Sequence, residues 1–214
     1  MNLRKLVHSY QKRFARGIQL VQRRRDAWTG VEKRSKEIFE AVVRDARKAK
    51  MFDHLYCTSP ADQGIQTTLG YVSLFWGSHL IAHLANGKES IEYGCGLHVA
   101  QDYRGWVFAY VTPFVSDLHG HSPAPHPLLI NVFRWPGKPC DWRLRRYVRV
   151  LFSLAVTTSF CGKPSGWDRV RVYYLRLNSA FMAKGLPMIL RELTKKLITT
   201  LAGKVITVSL SLFI

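Results

Sequence analysis

Charge is divided very unevenly along this chain of 214 residues, whose formal net charge is +18. Residues 1–50 hold 15 Lys and Arg against 5 Asp and Glu, whereas residues 51–137 hold only 3 against 6. Residues 138–176 (9 against 2) and 177–214 (5 against 1) are basic again. A charge-poor, aromatic-rich middle segment therefore lies between two basic regions of the chain. The positive potential of the two basic regions favours a polyanionic partner.

The first basic region follows a helical pattern. Apolar residues recur at spacings of four and three, close to a heptad repeat, at Leu3, Val7, Tyr10, Phe14, Ile18, Val21 and Trp28. Thr29-Gly30 predicts a break, and a second helix from Val31 to about Lys48 would complete a basic helical hairpin. The hairpin either packs on the core or on a second copy in a dimer, or it binds a polyanion through its basic face.

The middle of the chain changes to the two-residue period of strands. Four segments rich in aromatic and β-branched residues predict strands: Leu69–Trp76, Ser90–Ala100, Trp106–Phe114 and Leu128–Trp135. Residues 101–105 are expected to form a hairpin loop, and the short connections favour antiparallel pairing. Gly94 and Gly96 predict a bulge or a close backbone approach inside the second segment.

The basic C-terminal third is expected to add helices and strands. Asp141 is placed to cap a helix from Trp142 to about Thr158. Residues 169–177 alternate in polarity and predict a strand. A helix at about 188–201 and a strand over 206–212 would follow.

These elements predict an α+β fold, with an N-terminal basic helical hairpin, an antiparallel sheet of about five or six strands, and two further helices packed on it. We divide the chain into a basic helical arm, residues 1–50, and a single α+β globular domain, residues 51–214.

Arginines concentrate on the predicted helix and strand of the C-terminal third. Guanidinium groups bind phosphate in a bidentate geometry, and an exposed aromatic ring can stack on a base. The sequence therefore predicts polyanion binding here and at an arginine run in the arm. The residues are Arg143, Arg145, Arg146, Arg149, Arg169, Arg171 and Tyr173, with Arg23, Arg24 and Arg25 of the arm. The alternative is that these side chains form ordinary solvated faces.

A loop of eight residues, Val115–Ser122, suggests a different chemistry. Asp117, His119 and His121 could hold a divalent metal that activates water. The segment resembles the D-x-H-G opening of calcineurin-like metallophosphoesterases and the D-L-H-x-H-S opening of polymerase-and-histidinol-phosphatase-type phosphoesterases. The resemblance implies a metal-dependent hydrolase, but the further His and Asp motifs of those families do not follow in the chain.

His79 and His83 are four residues apart and would share one face of a helix, where they could chelate a metal. The glutamate of the H-E-x-x-H motif is missing, because Leu80 stands in its place. We expect neither a bound metal nor a cofactor.

The four cysteines are scattered and form no C-x-x-C pair, which favours reduced thiols in the cytoplasm.

The leading functional hypothesis is a nucleic-acid-associated protein that binds the phosphate backbone with little sequence specificity. One alternative is a metal-dependent phosphoesterase or nuclease that uses the Asp/His loop. Another is a toxin-like protein or one that binds anionic membrane surfaces, because residues 3–28 form an amphipathic basic helix. The expected partners are nucleic acid, an anionic membrane surface, or a second copy bound through the N-terminal helix.

Overall fold

The computed structural model describes residues 3–49, 54–63, 70–83, 89–116, 127–133, 140–159 and 161–184. In chain order its main elements are α1 (Leu3–Lys48), β1 (Leu55–Thr58), a 3₁₀ helix (Pro60–Gln63), β2 (Tyr71–Trp76), β3 (His79–His83), β4 (Glu89–Tyr93), β5 (Gly96–Gln101), β6 (Val107–Thr112), β7 (Val115–Ser116), β8 (Leu128–Phe133), α2 (Asp141–Thr158) and α3 (Gly166–Lys184).

The fold is α+β, as the sequence predicts, and it is built on antiparallel strands. The larger sheet has five strands in the order β1-β2-β5-β6-β8, and a smaller sheet has the order β3-β4-β7.

The predicted loop between β5 and β6 is confirmed. Its turn needs Gly105, whose φ of +74° lies in the left-handed region that side chains disfavour. Asp102 stabilises the turn by accepting hydrogen bonds from the backbone N–H groups of Arg104 (2.9 Å) and Trp106 (2.8 Å).

The single strand predicted over Ser90–Ala100 is divided between the two sheets. Its first half is β4 and its second half is β5, with Gly94 between them. A Cβ atom on Gly94 would lie only 1.8 Å from the backbone oxygen of Trp76. The prediction of a close backbone approach at Gly94 is therefore confirmed, and this approach lets the chain pass from one sheet to the other.

The predicted helical hairpin is wrong, because α1 is one continuous helix through Thr29 and Gly30. A glycine in a helix interior costs about 1 kcal/mol relative to alanine. Trp28 and Val31, on either side of the expected break, are both buried in the core. Burial of two such side chains stabilises the helix by more than the glycine costs, since each contributes roughly 2 kcal/mol.

The core lies between one face of the larger sheet and the helices. Leu74, Leu97 and Val111 are neighbours across β2, β5 and β6, and all three are fully buried. Phe39 of α1 and Leu151 of α2 complete this core. All four cysteines are free thiols.

Asp141 does not cap α2. Cys140 holds the N-cap position, and no side chain caps the helix there. The Asp141 carboxylate instead accepts two hydrogen bonds from Arg34 of α1, at 2.7 and 2.5 Å. These bonds lower the pKa of Asp141. The aspartate therefore joins the start of α2 to α1.

The strand predicted over residues 169–177 is also wrong, because this segment lies inside α3. Among the α3 side chains whose burial is described, Val172, Leu175 and Ser179 are buried, which is a helical spacing. The helix predicted at 188–201 and the strand over 206–212 lie outside the described residues.

His98 lies on the face of the larger sheet opposite the core and supports a prediction about stability. Its ring stacks on Tyr110 with the centroids 4.8 Å apart. Its Nδ1 lies 2.8 Å from Ser73 Oγ, and its Nε2 lies 3.3 Å from Thr112 Oγ1. Burial lowers the pKa of His98 to about 4. The histidine is therefore neutral in the folded protein above that pH.

Between pH 6.5 and about 4 the unfolded chain binds a proton at His98 that the folded protein does not bind. This contribution to stability is complete above pH 6.5 and falls by about 3 kcal/mol as the pH drops towards 4. We expect His98→Gln to remove that part of the pH dependence, as measured by urea unfolding at pH 7.0, 5.5 and 4.5. Parallel pH profiles for the two proteins would contradict it.

Candidate functional site

A groove of about 730 Å³ lies between α2 and α3, beside β8. Its lining combines cationic and aromatic side chains. The cations are Arg143, Arg146, Arg149 and Arg171, and the exposed rings are Trp142, Trp167 and Tyr174. No Asp or Glu belongs to this lining in the described part of the chain. We call these seven side chains the groove set.

The period of α2 explains why its arginines face the groove. Leu144, Val148 and Leu151 form a buried stripe against the sheet. Arg143, Arg146 and Arg149 follow one another at intervals of three, so they share the exposed side of the helix opposite this stripe. Burial of the apolar stripe therefore fixes the direction in which the three guanidinium groups point.

The second wall begins at a capping box. Ser165 Oγ accepts a hydrogen bond from the Asp168 backbone N–H (3.2 Å), and the Asp168 carboxylate accepts one from the Ser165 backbone N–H (3.0 Å). The helix that starts here places Trp167, Arg171 and Tyr174 at spacings of four and three along the groove.

Hydrogen bonds hold α2 and α3 to β8. Asn178 donates to the backbone oxygen of Ile130 (3.1 Å), and the Leu129 backbone N–H donates to Ser179 Oγ (2.9 Å). Asn131 donates to the Tyr147 hydroxyl on α2 (3.0 Å). Burial raises the pKa of Tyr147, so this hydroxyl stays neutral. Both walls of the groove are thus fixed to one strand.

Asp168 joins the two helices and positions one groove arginine. It accepts a hydrogen bond from Ser153 of α2 (2.8 Å), and its Oδ1 lies 3.7 Å from Arg171 Nη1. The hydrogen bond from the Ser165 hydroxyl lowers the pKa of Asp168, so the carboxylate stays ionised. Arg171 Nη1 also donates a hydrogen bond to Ser153 Oγ (3.4 Å), and the Arg171 side chain stays about half exposed in the groove lining.

The structure brings together four of the ten residues predicted to bind a polyanion. These four are Arg143, Arg146, Arg149 and Arg171. Arg145, Arg169 and Tyr173 are exposed on the same two helices but do not line the groove. Because residues 169–173 are helical, the predicted basic strand face does not exist.

The arginine run of the arm is separate from the groove. Arg23, Arg24 and Arg25 lie on α1, where Arg25 donates a hydrogen bond to the backbone oxygen of Tyr103 (3.0 Å). Arg24 is partly buried against the β5–β6 turn. Two of these arginines therefore hold the turn against α1.

Sequence reasoning did not identify the three aromatic members of the groove set. Trp142 is 57%, Tyr174 65% and Trp167 74% exposed, although large aromatic side chains are usually mostly buried. One local signal was available: Ser165-x-x-Asp168 is a capping-box pattern, and it predicts a helix that puts Trp167 and Tyr174 on one side.

The metal hypotheses gain no support from the described residues. His79 and His83 lie on strand β3, so the predicted helical chelating pair is wrong. Asp117, His119 and His121 lie outside the described residues. Among the residues that are described, no group of three or more His, Cys, Asp or Glu side chains could hold a metal ion.

No protein-family model, curated protein or solved structure matches this chain. None of the helices in the described ranges is both long and apolar enough to cross a membrane.

Proposed function

We propose that this protein binds single-stranded nucleic acid in the groove between α2 and α3, mainly through the phosphate backbone and with little sequence specificity. The groove set is the observation that carries the proposal. Four guanidinium groups line one groove with three exposed aromatic rings, and no carboxylate shares that lining among the described residues.

The cations supply affinity. Arg143, Arg146 and Arg149 extend along α2 over about 9 Å, because three residues of helix rise about 4.5 Å. Successive phosphates of a flexible single strand can adjust to such a row. Arg171 adds a cation from the opposite wall. A strand in the groove would therefore meet positive charge on both sides, which replaces counterions on its phosphates.

The aromatic rings favour a single strand over a duplex. A base can stack on any exposed ring, because every base has a π-face, and each such stack contributes about 1–3 kcal/mol. Trp142, Trp167 and Tyr174 are exposed enough to accept a base. The bases of a duplex are already stacked on one another, so these rings would contribute little to duplex binding.

Affinity across a salt series tests the proposal. Fluorescence anisotropy would be measured with labelled 20-mers of single-stranded RNA, single-stranded DNA and duplex DNA between 50 and 300 mM KCl. For four phosphate contacts we expect log Kobs to fall with log salt at a slope of about −3 on single strands. We expect weaker binding to the duplex. Absence of binding at 50 mM KCl, or a slope near zero, would contradict the proposal.

We also propose a cytoplasmic location, because the four cysteines are free thiols, which a reducing compartment maintains. The basic character of the protein gives the ligand a favourable approach, because the net charge of +18 attracts polyanions from a distance.

A further inference from the structure

The N-terminal part of α1 extends past the core with an apolar face uncovered. Every side chain from residue 6 to residue 19 is exposed. Five of them are large and apolar and recur along one side of the helix, and they are Leu6, Val7, Tyr10, Phe14 and Ile18. Phe14 is 71% and Ile18 69% exposed. We call these five residues the arm stripe.

The arm stripe continues the face of α1 that packs on the core. Val21 and Trp28 continue its spacing of three and four, and Trp28 is buried. The folded body reaches α1 at the β5–β6 turn, where Gln101 donates a hydrogen bond to the backbone oxygen of Arg24 (3.0 Å). The body therefore lies on the same side of α1 as the arm stripe and begins within about two turns of Ile18.

We propose that the arm stripe is covered by the arm stripe of a second copy of this chain, in an antiparallel pair of α1 helices. A flat membrane would meet the body, which protrudes on the stripe side, before it could lie along the arm. A parallel pair would place the second α1 helix where the first body lies. In an antiparallel pair each arm lies along the other and ends near the β5–β6 turn of its partner.

The charges of the arm are compatible with this pairing. Lys12, Arg16 and Arg23 lie on the side of α1 opposite the arm stripe, as the 100° rotation per residue requires. In a pair of helices 8–10 Å apart these cations face outward and are separated by about 20 Å. This distance exceeds the Debye length of about 8 Å at physiological salt, so their repulsion is weak. Arg13 lies beside the stripe and over the Tyr10 ring, at 5.7 Å from its centroid.

The apolar area is sufficient for a specific interface. The pair would cover ten large apolar side chains, five from each copy. At roughly 100 Å² each they bury about 1,000 Å², the lower limit for a specific protein interface. Pairing of the arms does not depend on nucleic-acid binding. If both proposals hold, the dimer joins two grooves and increases the avidity for a long strand.

Sedimentation equilibrium of the full chain, freed of nucleic acid by nuclease and high salt, tests the proposal. We expect a concentration-dependent mass that approaches twice the chain mass of 24.6 kDa. Phe14→Glu with Ile18→Glu is expected to give a monomer whose Tm equals that of the unmodified protein at concentrations where the latter is monomeric, because both residues are exposed in the single chain. The matched control, Lys12→Gln with Arg16→Gln, lowers the net charge by the same two units and should still dimerise. A monomer at all concentrations up to 100 µM, or equal loss of dimer in both variants, would overturn the proposal.

Disulfide trapping tests the antiparallel direction, in a Cys140→Ser, Cys161→Ser background that removes the two exposed thiols. In a pair centred between Tyr10 and Phe14, a Val7→Cys chain should cross-link to an Ile18→Cys chain. Preferential Val7→Cys homodimers would overturn the antiparallel arrangement. A third outcome is a monomer that binds vesicles of 30% phosphatidylserine in phosphatidylcholine, with this binding abolished by Phe14→Glu with Ile18→Glu. That outcome would show that a membrane covers the arm stripe, and it would overturn the proposal of a second copy.

Discussion

Replacement of Arg146, Arg149 and Arg171 together by Gln is expected to weaken single-stranded nucleic-acid binding about a thousandfold. The three side chains come from both walls of the groove. Each charge-assisted hydrogen bond to phosphate contributes about 1.5 kcal/mol, and each 1.4 kcal/mol changes affinity tenfold. The salt dependence should also become weaker, by about 2 units of slope, because three phosphate contacts are lost. Fluorescence anisotropy with the same 20-mers measures both quantities.

The chain offers a matched control for this variant. Arg145, Arg169 and Arg176 are exposed on the same two helices and do not line the groove. Their replacement by Gln also removes three positive charges, so the net charge of the protein changes equally in the two variants. We expect the control to lose less than about tenfold in affinity. Equal losses in the two triple variants would show that net charge, and not the groove, determines binding.

Replacement of Trp142 and Trp167 together by Ala is expected to weaken single-strand binding by roughly a thousandfold. Each ring is expected to stack on one base and to contribute about 2 kcal/mol. Both side chains are mostly exposed, so the folded state loses little packing. Duplex affinity should change by less than about threefold, because the rings cannot reach bases inside a duplex. The ratio of single-strand to duplex affinity is therefore the measured quantity.

Tyr173→Ala is the control for the aromatic prediction. Tyr173 is an exposed ring on α3, 62% accessible, but it does not line the groove. Single-strand affinity should be unchanged in this variant, and its Tm should match that of the unmodified protein. If the Trp142→Ala, Trp167→Ala variant loses duplex and single-strand affinity to the same extent, the two rings do not bind by stacking on bases.

Strands β2, β5, β6 and β8 of the larger sheet were predictable because their local pattern and their packing agree, whereas the short strands β1, β3 and β7 were not predicted. In β6, for example, Val107, Ala109 and Val111 are buried and alternate with less buried residues, as a two-residue period requires. Two of the errors, the break at Thr29-Gly30 and the strand over residues 169–177, come from segments where local and tertiary preferences disagree. Gly30 indicates a helix end locally, but the burial of Trp28 and Val31 keeps α1 continuous.

The alternation over residues 169–177 fails for a related reason. Val170 and Val172 are β-branched and two residues apart, which locally favours a strand. The helix buries Val172 with Leu175 instead, and the capping box at Ser165 and Asp168 fixes where it begins. Local capping and tertiary burial together outweigh β-propensity at this segment.

The candidate site was predictable only in part. Arg143, Arg146 and Arg149 share one side of a helix whose limits the sequence indicates closely, so their clustering follows from sequence alone. The groove also needs α3 packed beside α2 and fixed to β8 through Asn178 and Ser179. These contacts join residues about 50 positions apart, and no local pattern encodes them.

Photo-cross-linking tests most directly whether the groove is the nucleic-acid site. A single-stranded RNA with 4-thiouridine at every third position would be irradiated with the protein, and the adducts would be mapped by mass spectrometry. We predict adducts on Trp142, Trp167 and Tyr174, which are lost in 1 M KCl. Adducts confined to α1, or no adducts under conditions where anisotropy shows binding, would contradict the account.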